Sequence, residues 1–176
     1  HDEFGLSARH LTVSTVGLIP GIRRLADRPL PVTLAVSLHA AHDDLRNTLI
    51  PMNRRYPIDE LLDACSHYVS KRKRRMSFEW AMIDGVNDAV EEAEALAELC
   101  RRLRPIAHVN LIPLNRTAGY EYQGSRRSQI EKFQQVLTRC GVEATIRRNR
   151  GNDIDAACGQ LAAMTPVTIT KGAAQK

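Results

Sequence analysis

The hydrophobic residues of this chain alternate between two arrangements, short dense runs and wider helical stripes. Residues 11–15 are rich in β-formers and stop at Gly17, which predicts a short strand. Pro20 suits a first helical turn, and Ile22, Leu25 and Ala26 give that helix an apolar face reaching Asp27. Residues 32–38 form a nearly continuous apolar run, as expected of a parallel strand covered on both faces. Asp43 or Asp44 is placed to cap a short helix through Leu49. Pro57 opens a longer helix with Leu61, Leu62, Cys65, Tyr68 and Val69 at helical spacing. Its basic end at residues 71–75 complements the helix dipole and reads as a solvated terminus. A third strand is expected over 76–83, then a helix capped by Asp88 with Ala93, Leu96, Ala97, Cys100 and Leu103 as its stripe. A fourth strand covers 108–114. A helix over 125–140 turns Ile130, Phe133, Val136, Leu137 and Cys140 inward and stops at Gly141, and a fifth strand covers 142–146.

This alternation predicts an α/β fold, a parallel sheet with right-handed crossovers and helices outside. Five strands are too few to close a wide barrel, so part of a barrel is expected, with an unpaired edge near the N-terminus. Residues 1–164 read as one unit and 165–176 as a loose tail of little apolar weight. The chain opens on His1 and not on Met, so a longer parent is expected.

In such sheets ligands bind where the strands end and the βα loops gather. The strand ends supply Ser14 and Thr15; Ser37, Leu38 and His39; Asp84, Gly85 and Asn87; and Asn115. Past the last strand come Arg147, Arg148 and Arg150, then Cys158 in a polar, glycine-flanked segment. Hydroxyl, imidazole and carboxamide groups without a run of carboxylates suit a nucleoside-containing ligand better than a divalent metal. Each also has a plainer reading: Ser14 as a turn cap, His39 as a structural hydrogen-bonder, Asn115 as turn chemistry. Glu79, between Phe78 and Trp80 in a strand, either lines the interior near a ligand or pairs with an arginine.

Composition narrows the classes. Of 176 residues, 43% are hydrophobic and 26% charged, a globular mix. No apolar run spans a bilayer and no signal-peptide pattern is present, so a cytoplasmic protein is expected. A net charge of +5 permits a nucleic-acid partner without requiring one. No metal site is expected: Cys65, Cys100, Cys140 and Cys158 show no C-x-x-C spacing, and the first three sit on helical stripes as small hydrophobes. No Gly-rich phosphate loop or G-x-S-x-G elbow occurs, which leaves an unrelated sugar-phosphate barrel without its signature.

Four segments at the rim carry a resemblance: 12–17 (TVSTVG), 37–40 (SLHA), 110–115 (NLIPLN) and, most specific, 153–161 (DIDAACGQL). Together they resemble the RlmN/Cfr family of radical SAM RNA methyltransferases, over nearly the whole chain from Gly5 to about Leu161. The resemblance implies the second half of a partial (β/α)6 TIM-like barrel. It implies that Ser14, Ser37, Leu38, His39 and Asn115 contact S-adenosylmethionine, and that Cys158 takes a methyl group from it as S-methylcysteine. A 5′-deoxyadenosyl radical, formed from a second S-adenosylmethionine at a [4Fe-4S] cluster, would abstract hydrogen from that methyl group. The carbon radical would add to C2 of an adenine in 23S rRNA or in certain tRNAs, with a second cysteine resolving the adduct. Arg147, Arg148 and Arg150, beside the Cys158 segment, are expected to contact RNA phosphates. The cluster loop, the resolving cysteine and a G-M-G-E-P segment belong to the family's other half, the missing partner of this chain, which alone is expected to be inactive. Two alternatives stay open: methylation at adenine C8, and a non-catalytic RNA- or nucleotide-binding half-barrel.

Overall fold

Among the described residues, five strands lie side by side in chain order, every neighbouring pair parallel. The computed structural model describes residues 8–115 and 122–147. Its elements are β1 (Thr12–Thr15), α1 (Ile19–Asp27), β2 (Thr33–Ser37), α2 (Asp43–Leu49), α3 (Ile58–Arg72), β3 (Ser77–Met82), α4 (Val90–Arg101), β4 (His108–Pro113), α5 (Arg127–Arg139) and β5 (Ala144–Ile146). A 3-10 turn at Pro51–Arg54 links α2 to α3 and was not foreseen from the pattern. At least one helix fills each crossover, which is how parallel strands can be joined.

Strand residues alternate between two environments because their side chains point to opposite faces. Leu34, Val36, Phe78, Trp80, Met82, Val109 and Leu111 are at most 1% exposed and join one core with Ile22, Leu61, Cys65, Leu96, Cys100, Phe133 and Leu137 from the helices. Trp80 anchors it: its ring lies 5.8 Å from that of Phe133, and its indole N–H donates to Asn87 O at 3.2 Å. Tyr68 ties α3 to the start of β2 by donating to Val32 O at 2.8 Å. Burial pushes the Cys65 and Cys100 thiols up to about 12, so both stay protonated hydrophobes. Cys140, at the C-cap of α5 beside Gly141 at φ 77°, is half-buried and packs against the same core.

Two expected caps are not caps. Asp43 lies inside the first turn of α2, and its Oδ1 accepts from Asn53 Nδ2 (2.8 Å) and Ile58 N (2.9 Å), joining α2 to the start of α3. Asp88 precedes the N-cap Ala89 of α4, and its Oδ1 instead accepts from Gly85 N at 3.1 Å, closing the turn after β3. For Asp43 partners on the following elements displace the local capping geometry, and for Asp88 a hydrogen bond within its own turn does so. β1 is the expected open edge, and Leu11, Val13, Val16 and Leu18 around it are 39–47% exposed.

Candidate functional site

The face of the sheet opposite the helices bounds an open cavity of about 1000 Å³. Its floor is small and polar: Thr12 and Ser14 from β1, Thr33, Ala35 and Ser37 from β2, Ser77, Glu79 and Ala81 from β3, His108 and Asn110 from β4. Barrel interiors are usually packed with branched apolar side chains. Alanine and serine in those places leave room for a ligand.

Of the expected contacts, Ser14, Ser37, His39 and Arg147 all line this cavity. The turn-capping role considered for Ser14 falls to Thr15, whose Oγ1 accepts from Gly17 N (3.1 Å) and Leu18 N (3.2 Å). Leu38 is placed otherwise. Its side chain is fully buried in the core, its N–H donates to Glu79 O, and its carbonyl accepts from Arg46 Nε. Asn115 sits half-buried two residues past β4, outside the lining. Arg147 turns into the cavity, with Nη1 3.7 Å from Glu79 Oε2, so it faces a carboxylate on the inner face. Arg148, Arg150 and Cys158 lie outside the described residues. Glu79 meets both readings offered for it, lining the cavity and facing an arginine.

His39 is the most constrained of these residues. It holds φ 59°, a left-handed conformation that costs a non-glycine residue energy and persists only when its surroundings impose it. Asn87, fully buried, imposes it: its Nδ2 donates to His39 O and to Ala81 O, both at 2.8 Å, while its Oδ1 accepts from Ile83 N at 2.8 Å. The imidazole Nδ1 accepts from Ala81 N at 3.0 Å, which leaves the ring proton on Nε2. Burial, and then the charge of Arg46, hold the ring's pKa down to about 4, so His39 is neutral at pH 7 and offers one N–H.

Arg46 plays the matching part for β1 and β2. Fully buried, it donates to Val16 O, Ser37 O and Leu38 O, each at 3.0 Å, and to Asn53 Oδ1 at 2.7 Å. Burial lowers its pKa to about 10, still a cation at neutral pH. Neither Arg46 nor the clamp of Asn87 was read from the sequence as such; Arg46 sits in a polar stretch with no periodic signal. The basic run at 71–75 is only partly solvent-facing. Lys71 pairs with Asp27, whereas Arg74 and Arg75 line the cavity at the end where the strands begin.

Among the described residues, no three His, Cys, Asp or Glu side chains converge where a metal could sit. The described residues do not fit an iron–sulfur cluster. They do fit a nucleoside-bearing amphipathic ligand: hydroxyls at Ser14 and Ser37, an N–H at His39, a carboxylate at Glu79, and open volume over Ala35 and Ala81. No described helix is long and apolar enough to cross a membrane.

No family model matches the chain. Curated relatives do. It is 53% identical over 164 residues to the dual-specificity RNA methyltransferase RlmN 1 of Myxococcus xanthus, covering 92% of this chain and 45% of the relative. It is 55% identical over 171 residues to a probable dual-specificity RNA methyltransferase RlmN of a Parafrankia species, covering 97% and 44%. Among solved structures, a radical SAM methyltransferase from Sphaerobacter thermophilus superposes with a TM-score of 0.84 at 54% identity, over 88% of this chain and 45% of that one. A domain of a pyruvate-formate lyase-activating enzyme from Bacteroides vulgatus shares the fold alone, with a TM-score of 0.60 at 19% identity over 78% of this chain and 80% of that one. The parallel sheet, the polar inner face and these likenesses define a segment of a radical SAM methyltransferase barrel. Within that class, the chain is similar to a segment of the RlmN dual-specificity RNA methyltransferases, at 48–55% identity to those of three bacteria. It spans about half the length of the curated relatives it matches.

Proposed function

We propose that this chain is the methyl-carrying half of an enzyme that methylates C2 of an adenine in 23S rRNA and in certain tRNAs, through S-methylcysteine at Cys158. The observation that carries the proposal is the polar inner face, where Ser14, Ser37 and the oriented N–H of His39 line one cavity, in a chain whose relatives are named as RNA methyltransferases. S-adenosylmethionine, when bound, supplies an electrophilic methyl group. Ser14 and Ser37, which line the cavity, would hold it by hydroxyl hydrogen bonds. His39, locked neutral, donates from Nε2 without adding a positive charge beside a sulfonium. The thiolate of Cys158 would displace S-adenosylhomocysteine from that methyl carbon, the sulfonium S–CH3 bond breaking as the thioether bond forms, and would carry the methyl group as S-methylcysteine. Sulfur is needed because the amidine carbon of adenine is electrophilic and resists attack on a sulfonium methyl.

Leu38 supports the same site through its backbone, and Asn115, Arg148 and Arg150 belong to the proposal through the resemblance. The missing half supplies the [4Fe-4S] cluster ligands and the resolving cysteine, and the chain alone is inactive. The test is Cys158→Ala in the whole protein, with methyl groups in rRNA and tRNA digests located by mass spectrometry. The expected result is loss of 2-methyladenosine; full-rate C2 methylation by the variant contradicts the proposal. A methyl group at C8 in the wild-type digest would instead assign the alternative specificity.

A further inference from the structure

Among its described residues the inner face carries a single acid. Arg74, Arg75, Arg147, His39 and His108 line the cavity, and Glu79 is the one carboxylate among its described linings. It sits mid-strand on β3, 8% exposed, in register with Ser37 on β2 and Asn110 on β4. Its Oε1 is held from two sides, by Ser77 Oγ at 2.9 Å and Asn110 Nδ2 at 2.8 Å. Its Oε2 is buried and accepts no hydrogen bond among the described residues. The facing cation, Arg147 Nη1, stands at 3.7 Å, beyond hydrogen-bond reach.

An ion pair built for stability would close to about 2.8 Å. Arg147 has the freedom to do so, since its side chain is 61% exposed, yet it stops short. A buried carboxylate oxygen left in this state is costly, and native proteins seldom keep one without a use. Oε2 is therefore a rigidly presented acceptor that lacks its donor, with an exposed guanidinium fork beside it.

The pairing of an acceptor with an N–H donor selects the ligand. Adenine presents an amino donor next to a ring-nitrogen acceptor, and a carboxylate beside a guanidinium complements both at once. The cavity, at about 1000 Å³, lies at the upper end of the size of small-molecule pockets, with room for more than one nucleoside moiety. We infer that Glu79 and Arg147, braced by Asn110 and Ser77, form an adenine-recognition subsite on the inner face, Glu79 Oε2 accepting from the exocyclic amine and Arg147 donating to the adjacent ring nitrogen. Arg147 swings off Glu79 as the base enters. The inference rests on the proposed methyltransferase function, which provides two sources of adenine: the adenosyl group of the cofactor and the acceptor nucleotide in RNA.

The experiment compares the whole protein with its Glu79→Gln variant by titration calorimetry. In one arm the ligand is S-adenosylmethionine or its purine analogue lacking the 6-amino group. In the other it is an RNA stem-loop carrying adenosine or purine riboside at the target position. In the arm that holds the subsite's adenine, removing the amine weakens binding to wild type about tenfold, and weakens the variant's binding no further. The arm showing this coupling identifies the source. If amine removal costs wild type and variant equally in both arms, or if wild type binds neither adenine ligand, the subsite is refuted. Wild-type methylation, read separately, tells whether the functional proposal survives that outcome. Arg147→Gln, an exposed side chain, covers the case in which Glu79→Gln does not fold: it must weaken the same ligand about tenfold and leave the other unchanged, and equal affinity for both refutes the subsite.

Discussion

The two faces of the sheet are made from the same residues in alternation, yet they differ in nearly every physical respect. On β3, Phe78, Trp80 and Met82 are large, apolar and 0% exposed, whereas Ser77, Glu79 and Ala81 between them are small or polar and line a cavity. The helix-facing side follows the rules of a packed interior. The inner side does not: it has too little volume to fill its own space and carries a carboxylate that is not fully satisfied. One face provides stability and the other gives up some of it, as expected where a ligand is to be bound.

If that division holds, substitutions on the two faces should separate cleanly. The largest effect is expected from Trp80→Ala, which removes the buried ring against Phe133 and the donor to Asn87 O; a loss of about 3–5 kcal/mol should appear in urea unfolding. Next is acid. His39 has a folded pKa near 4 against about 6.5 unfolded, so the unfolded chain binds the extra proton first. Stability should therefore fall as pH drops below about 6.5 and level off near 4. The His39 share is up to about 3 kcal/mol, and His39→Gln should flatten the melting profile across that window. Asn87→Ala should cost about 2–3 kcal/mol by stranding His39 O, Ala81 O and Ile83 N, and should weaken ligand binding along with stability. At the small end, Arg102→Ala breaks only the exposed pair with Asp59, and a change in melting free energy under about 1 kcal/mol is expected.

The helix-facing half of this picture was legible in the sequence, because burial writes itself as periodicity. The stripes of Leu61, Leu62, Cys65, Tyr68 and Val69 and of Ile130, Phe133, Val136 and Leu137 fell where the core is, and strand boundaries moved by only a residue or two. Part of the site was legible too, since Ser14, Ser37 and His39 close strands in a fold that binds at strand ends. What escaped were groups whose roles depend on distant partners. Asp43 looked like a cap by position, but its carboxylate is taken by Asn53 and Ile58 from the elements that follow. Arg46 had no reason to be buried until the carbonyls of Val16, Ser37 and Leu38 converged on it. Leu38 sits between two lining residues, and strand alternation sends its side chain to the core. Glu79 could not be decided without knowing which face it took and that Arg147 stood across from it.

The division of labour between the faces can be tested most directly by titrating S-adenosylmethionine into the whole protein and into its Ser14→Ala, Ser37→Ala double variant, with melting followed in parallel. Two lost hydroxyl hydrogen bonds should weaken binding about tenfold or more and leave the melting midpoint within a degree or two. Unchanged affinity, or a drop in stability as large as that of Trp80→Ala, would contradict an inner face made for a ligand.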